Sequence, residues 1–327
     1  MLVLLHAAAF AGACSVTSQS AVLVTGANKG QGYALCRRVL KEHADAYVFV
    51  GSRDPTRGAE ATAVLASLAP GRVEHVTLDV TDDASVAAAA AHVASRLAPD
   101  AKLHGLVSNA GILWGHTLAE SVAVNTLGVK RVTEAFLPLV RPGGGRVVVV
   151  SSGMGPLMVG YASAARRERL LAADLTWAEL EATIDECLAV EAAGSGPAGL
   201  EALGFSGGQF AEAAPDFHTY GLAKMFADAH MLTVARAHPA LRVNSCDPGL
   251  VFTDIVKSIP RYEGMSREET GAATPDQGVE AAMRLLFGED GAPGSFEGSG
   301  MFYAMDKARV KLLRSTIAAR PKEIEAD

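Results

Sequence analysis

Short runs of branched and apolar residues alternate with helix-patterned segments along most of this sequence, and that alternation restricts the architectures open to it. The runs are AVLVT from Ala21, AYVFVG from Ala46, VEHVTL from Val73, LHGLVS from Leu103, RVVVVS from Arg146 and LRVNSCD from Leu241, with a shorter MFYAM from Met301. Each is apolar with few interruptions, the pattern of a strand covered on both faces. Between them lie helix candidates such as DDASVAAAAAHVASRLA and the segment ending VKRVTEAFLPLV. Consecutive strands joined through helices pair in parallel, so the expected fold is α/β: a doubly wound parallel sheet of about seven strands, helices on both faces, with MFYAM closing one edge.

The rhythm breaks between Ser152 and Tyr220, where no convincing strand is found. Thr176 followed three residues later by Glu179 is a capping box, and Leu180, Ile184 and Leu188 follow at helical spacing. GSGPAG and FSGGQF then read as loop. Strand patterns lie on either side, so residues 21–327 read as one domain carrying a helical insertion at about 153–217. Residues 1–20, MLVLLHAAAFAGACSVTSQS, join an apolar run to small residues but lack a basic start. They read as an extension before the first strand, with a cleaved targeting segment as the alternative and a cytoplasmic location expected otherwise.

With 49% hydrophobic and 20% charged residues over 327 positions, the chain is neither disordered nor fibrous. Its net charge of -7 and the lack of a long basic run argue against nucleic acid as a partner. No other apolar stretch approaches the roughly 20 residues of a membrane span. Cys14, Cys36, Cys187 and Cys246 are scattered, without C-x-x-C spacing, and read as reduced thiols with no structural metal.

Three stretches carry chemistry. TGANKGQG follows the first strand, and Gly26, Gly30 and Gly32 lead into a helix starting near Tyr33; such a turn lets backbone and a helix N-terminus approach a pyrophosphate. The second strand ends in Gly51, Ser52 and Arg53, with Arg57 a turn later. A guanidinium there suits the 2'-phosphate of NADP better than a bare ribose hydroxyl. In HTYGLAK, Tyr220 and Lys224 share one helix face, and an ammonium beside a phenol favours proton exchange.

The ordered series TGANKGQG, LDV from Leu78, NAG from Asn109, Asn125 in VNTLG, VSS ending at Ser152, YGLAK and DPGLVFTD from Asp247 resembles the short-chain dehydrogenase/reductase family. TGANKG, SRDPTRG and the insertion bearing TWAELEATIDECLAVEAAG are similar to its monomeric, NADPH-dependent carbonyl reductase branch. The resemblance spans roughly residues 20 to 310 and implies a Rossmann-type sheet. It implies Tyr220 as the acid, Lys224 as the partner that lowers its pKa and binds ribose, Ser152 as the hydroxyl orienting the substrate carbonyl, and Asn125 as holder of a water. The cofactor NADPH/NADP+ would lie on Gly26, Asn28, Lys29, Gly30, Gln31 and Gly32, with Arg53 and Arg57 at its phosphate. Asp79 and Val80 would frame the adenine, and Asn109, Ala110 and Gly111 would line the cleft. Backbone around Pro248, Gly249, Val251 and Thr253 would meet nicotinamide and phosphates. Ser151 is the rival to Ser152. Gln31, Ser108 and Leu250 depart from the family pattern, where Ile, Asn and often Trp stand.

The implied activity is reduction of a ketone, aldehyde or quinone by a monomer with a small carbonyl substrate. An alcohol dehydrogenase running in the oxidising direction on a steroid-like or retinol-like alcohol is the second reading. A non-catalytic protein that senses NADP(H) is the third.

Overall fold

The computed structural model describes residues 15–288, 298–305 and the backbone of 312–315; most of the N-terminal extension, including Cys14, lies outside them. Strands β1 (Ser20–Val24), β2 (Ala46–Ser52), β3 (Val73–Thr77), β4 (Gly105–Ser108), β5 (Arg146–Val150), β6 (Arg242–Asp247) and β7 (Phe302–Met305) form where the apolar runs predict them. They pair in parallel in the order β3-β2-β1-β4-β5-β6-β7. The edge differs from expectation: β8 (Leu312–Ser315) pairs antiparallel with β7 and takes the position assigned to MFYAM.

Alternation along the strands divides the core. Ala21 and Leu23 of β1 and Val147 and Val149 of β5 face one layer, with helices α3 (Asp83–Arg96), α5 (Gly128–Phe136) and α11 (Pro215–Ala237) packed there. Val22, Val24 and Val148 face the other, against α1 (Gly30–Glu42), α2 (Pro55–Leu68) and the helix Glu280–Phe287. Both sheet faces are thus withdrawn from water, which is why the central strands β1, β2, β4 and β5 are apolar along most of their length. The winding direction reverses between β1 and β4, opening a crevice at their carboxyl ends, where ligands of such sheets bind.

The segment after β5 is helical: α6 (Met154–Tyr161), α7 (Ala164–Leu171), α8 (Trp177–Ala192), α9 (Gly196–Ala202) and α10 (Phe210–Ala213). The capping box forms as read, Thr176 receiving the Glu179 N-H while the Glu179 carboxylate accepts from the Thr176 backbone. Leu180 and Ile184 are buried, but the third enclosed side chain is Cys187, and Leu188 is only half-buried. Helix α8 is anchored at both ends. Trp177 packs edge-on against His230 of α11, with the Lys130 ammonium of α5 5.0 Å from its ring centre. Glu191 accepts the Leu118 and Ala119 N-H groups at the start of α4 (Leu118–Val122), at 2.5 and 2.9 Å, neutralising the exposed donors of that helix end. No helix among the described residues is long and apolar enough to cross a membrane.

Candidate active site

The carboxyl ends of β1, β4, β5 and β6 bring together the chemistry-bearing stretches. Behind β1, Gly26 and Gly30 take left-handed backbone angles, φ +63° and +57°. A Cβ on Gly26 would sit 2.9 Å from the Ala110 backbone, and one on Gly32 2.5 Å from the Asn109 amide. Glycine is therefore required twice over, by conformation and by the close approach of the NAG loop. Thr25, which the sequence reading missed, explains that approach: its hydroxyl accepts the N-H groups of Asn109 and Ala110 at 2.9 and 3.0 Å. Asn109 donates back to the Thr25 carbonyl at 2.8 Å. Asn28 and Gln31 stand half-exposed on the rim of the turn. Lys29 reaches across to Asp254 at 2.7 Å, and Gly30 lies against the Thr253 side chain, so the glycine-rich turn and the segment after β6 close on each other.

At the end of β2, the Arg53 side chain is 73% exposed, its Nε 3.9 Å from the Asp79 carboxylate. That loose pairing leaves the guanidinium available to a phosphate. Arg57 is instead held by Asp54, through its backbone N-H at 3.0 Å and its Nε at 2.8 Å. Ser52 is enclosed and donates to the Asp54 carbonyl. Asp79 is tied to Thr81, and Val80 is buried against Gly128. On the β6 side, Gly249 donates to Asp247 at 2.9 Å, and the Val251 side chain turns inward against Gly278. Pro248, Gly249, Val251 and Thr253 can thus present backbone to a ligand.

Tyr220 and Lys224 lie one turn apart on α11, as their spacing predicts. The Ser152 hydroxyl, which accepts the Met154 N-H at 3.2 Å, lies near enough to the Tyr220 phenol to pull its pKa down. Ser151 is turned away, donating to the buried Asp228 carboxylate at 3.0 Å. Of the two serines, Ser152 faces the cleft with Tyr220. Lys224 donates to the Val150 carbonyl at 2.9 Å, with its nitrogen 5.6 Å from the Tyr220 ring centre. A Cβ on Gly111 would lie 3.0 Å from Asn125 Oδ1 and 3.7 Å from Lys224 Nζ, so the NAG loop, Asn125 and Lys224 meet at one point.

Burial pushes the Tyr220 phenol well above the ordinary tyrosine range, partly opposed by Ser152 and reinforced by Asp247 and Asp228. Burial also lowers Lys224 to about 8, against the pull of Asp228, Cys246 and Asp247. Here desolvation outweighs the neighbouring charge. The Asn125 amide, moreover, is occupied by a loop. It accepts the Ile112 N-H at 3.1 Å and donates to the Ile112 carbonyl at 2.9 Å. Asn125 lies in a π-helical turn, Ala123–Leu127.

A family model described as short chain dehydrogenase matches residues 20–165. The chain is 28% identical to (+)-neomenthol dehydrogenase of Arabidopsis thaliana, over 80% of this chain and 90% of that protein. It is 26% identical to (-)-isopiperitenone reductase of Mentha piperita, over 89% and 98%. Among solved structures, salutaridine reductase from Papaver somniferum superposes with a TM-score of 0.68 at 24% identity, covering 86% of this chain and 99% of that one. Residues 20–165, which carry the glycine-rich turn, the NAG loop and Ser152, thus match the short-chain dehydrogenase/reductase family, and Tyr220 and Lys224 follow beyond that match on α11.

Proposed function

We propose that the chain is an NADPH-dependent carbonyl reductase acting on a ketone, aldehyde or quinone. The observation that carries this reading is the pairing of the Ser152 and Tyr220 hydroxyls beside Lys224 at the mouth of the crevice. The cradle fits a dinucleotide: glycines at 26 and 32 bring the turn's backbone against the NAG loop, and Arg53, exposed and only loosely paired with Asp79, is available to a 2'-phosphate. When bound, NADPH supplies the hydride. Ser152 and Tyr220 then direct two hydroxyls at the carbonyl oxygen, where negative charge grows, and Tyr220 gives its proton. Burial keeps that phenol protonated, the state a proton donor needs. Lys224 anchors ribose and keeps a positive charge near the developing alkoxide. A non-catalytic sensor would have no use for this convergence. The test is NADPH oxidation across quinones, aromatic aldehydes and aliphatic ketones. Absorbance loss with at least one class is expected, and a flat trace with all of them would count against the reading.

The proposed enzyme is a monomer. Helix α8 lies across α5 and α11 through Trp177, Lys130 and His230, burying Leu180, Ile184 and Cys187 on a face that another subunit could otherwise cover. Light scattering at micromolar concentration is expected to give the 33.9 kDa of one chain. A mass near twice that would refute it.

A further inference from the structure

We propose that Trp114 and Phe217 form the wall against which the substrate lies, and that this wall selects a carbonyl compound bearing a flat aromatic ring. The proposal rests on the reading of Ser152, Tyr220 and Lys224 given above and names the substrate class of that site. Phe217, Tyr220 and Lys224 stand at i, i+3 and i+7 on α11, so they form one stripe of the helix. Lys224 occupies the sheet end of the stripe, bonded to the Val150 carbonyl. Phe217 occupies the other end, one turn beyond Tyr220.

The loop that follows the NAG turn runs along the same stripe. At its start, a Cβ on Gly111 would lie 3.7 Å from the Lys224 ammonium. Four residues later, the Gly115 N-H donates to the carboxylate of Asp216, the neighbour of Phe217, at 2.6 Å. Between these two fixed points the loop passes the Tyr220 turn, and it carries Trp114 edge-on against Phe217, with ring centres 5.7 Å apart and planes at 72°. From the insertion, Phe210 of α10 packs on Phe217 as well, at 6.1 Å. Three segments distant in sequence thus bring their aromatic rings to one place beside the site. All three rings are only half-buried, which leaves ring surface open to a ligand.

A molecule whose carbonyl oxygen meets Ser152 and Tyr220 has the cofactor's ribose on its Lys224 side, so its body extends toward Phe217 and Trp114. Rings packed edge to face accept a further aromatic ring in the same pattern, and such a contact is worth more than the area it buries. A saturated ring of the same skeleton is thicker and lacks the quadrupole that favours this geometry.

The test compares 2-acetylnaphthalene with 2-acetyldecalin, which share one carbon skeleton. Each is titrated calorimetrically into the protein saturated with NADP+, so that binding is read without turnover. Wild type is expected to bind the naphthyl ketone about 2- to 12-fold more tightly, the range an aromatic contact adds beyond its area. Trp114→Leu keeps an apolar side chain and removes the ring, and it is expected to erase the preference by weakening the naphthyl ketone alone. A Trp114 that merely packs the loop would weaken both ketones equally and leave their ratio in place, which would overturn the proposal. Equal affinities in wild type, or no binding of either ketone, would overturn it too. If thermal melting shows that Trp114→Leu does not fold, Phe217→Leu decides: with the preference lost the proposal stands, and with it kept the proposal falls. NADPH oxidation with the same two ketones separates the claims. A naphthyl ketone that binds preferentially but is not reduced removes the carbonyl reductase reading and leaves the wall, whereas reduction of both ketones without a difference in affinity removes only the wall.

Discussion

Tyr220→Phe is expected to lower kcat by about 10²- to 10⁴-fold while leaving NADPH binding intact, the range over which general acid catalysis operates. The substitution keeps the ring that faces Lys224 and removes one hydroxyl, the one beside Ser152. Because a phenylalanine ring fills the same space, the glycine-rich turn and the NAG loop should be undisturbed, and the cofactor's affinity should follow them. Steady-state kinetics paired with fluorescence titration of NADPH reads both quantities. Retention of more than about a tenth of the wild-type kcat would remove Tyr220 from the acid role.

Arg53→Ala should weaken NADPH about tenfold or more and leave NADH nearly unchanged, since a hydrogen bond to a charged group is worth roughly 1.5–3 kcal/mol. The structure concentrates this effect on one residue. The Arg53 side chain is 73% exposed and 3.9 Å from Asp79, whereas Arg57 is held by Asp54 and Ser52 is enclosed. Arg57→Ala is therefore expected to matter less for the 2'-phosphate. Equal losses for both cofactors on Arg53→Ala would contradict the assignment.

Much of this was legible in the sequence because the features are local. Seven strands follow from mostly apolar runs, the Thr176 and Glu179 cap from a four-residue pattern, and the Tyr220 and Lys224 face from helical spacing. The rest depends on contacts between distant segments. Helix α11 is buried on nearly all sides, so its sequence has no amphipathic stripe to show that Asp228 points beneath Ser151. Thr25 serves the NAG loop, and Glu191 caps a helix more than seventy residues earlier; neither partner is visible in either local sequence. The spacing of Tyr220 and Lys224 indicated proximity but not the balance between charge and burial, and burial decides the phenol's pKa. Strand β8 is four residues long and follows a polar stretch, too short for a periodic pattern to stand out.

In the proposed reaction Tyr220 and Ser152 act on the carbonyl oxygen while its carbon takes hydride from NADPH. NADPH deuterated at the transferred position of its nicotinamide, incubated with a carbonyl compound that the enzyme consumes, tests it most directly. Mass spectrometry of the alcohol is predicted to show one deuterium on the carbinol carbon with wild-type enzyme, and product formation about 10²- to 10⁴-fold slower with Tyr220→Phe. Deuterium-free alcohol, or labelled alcohol formed equally by Tyr220→Phe, would contradict the account.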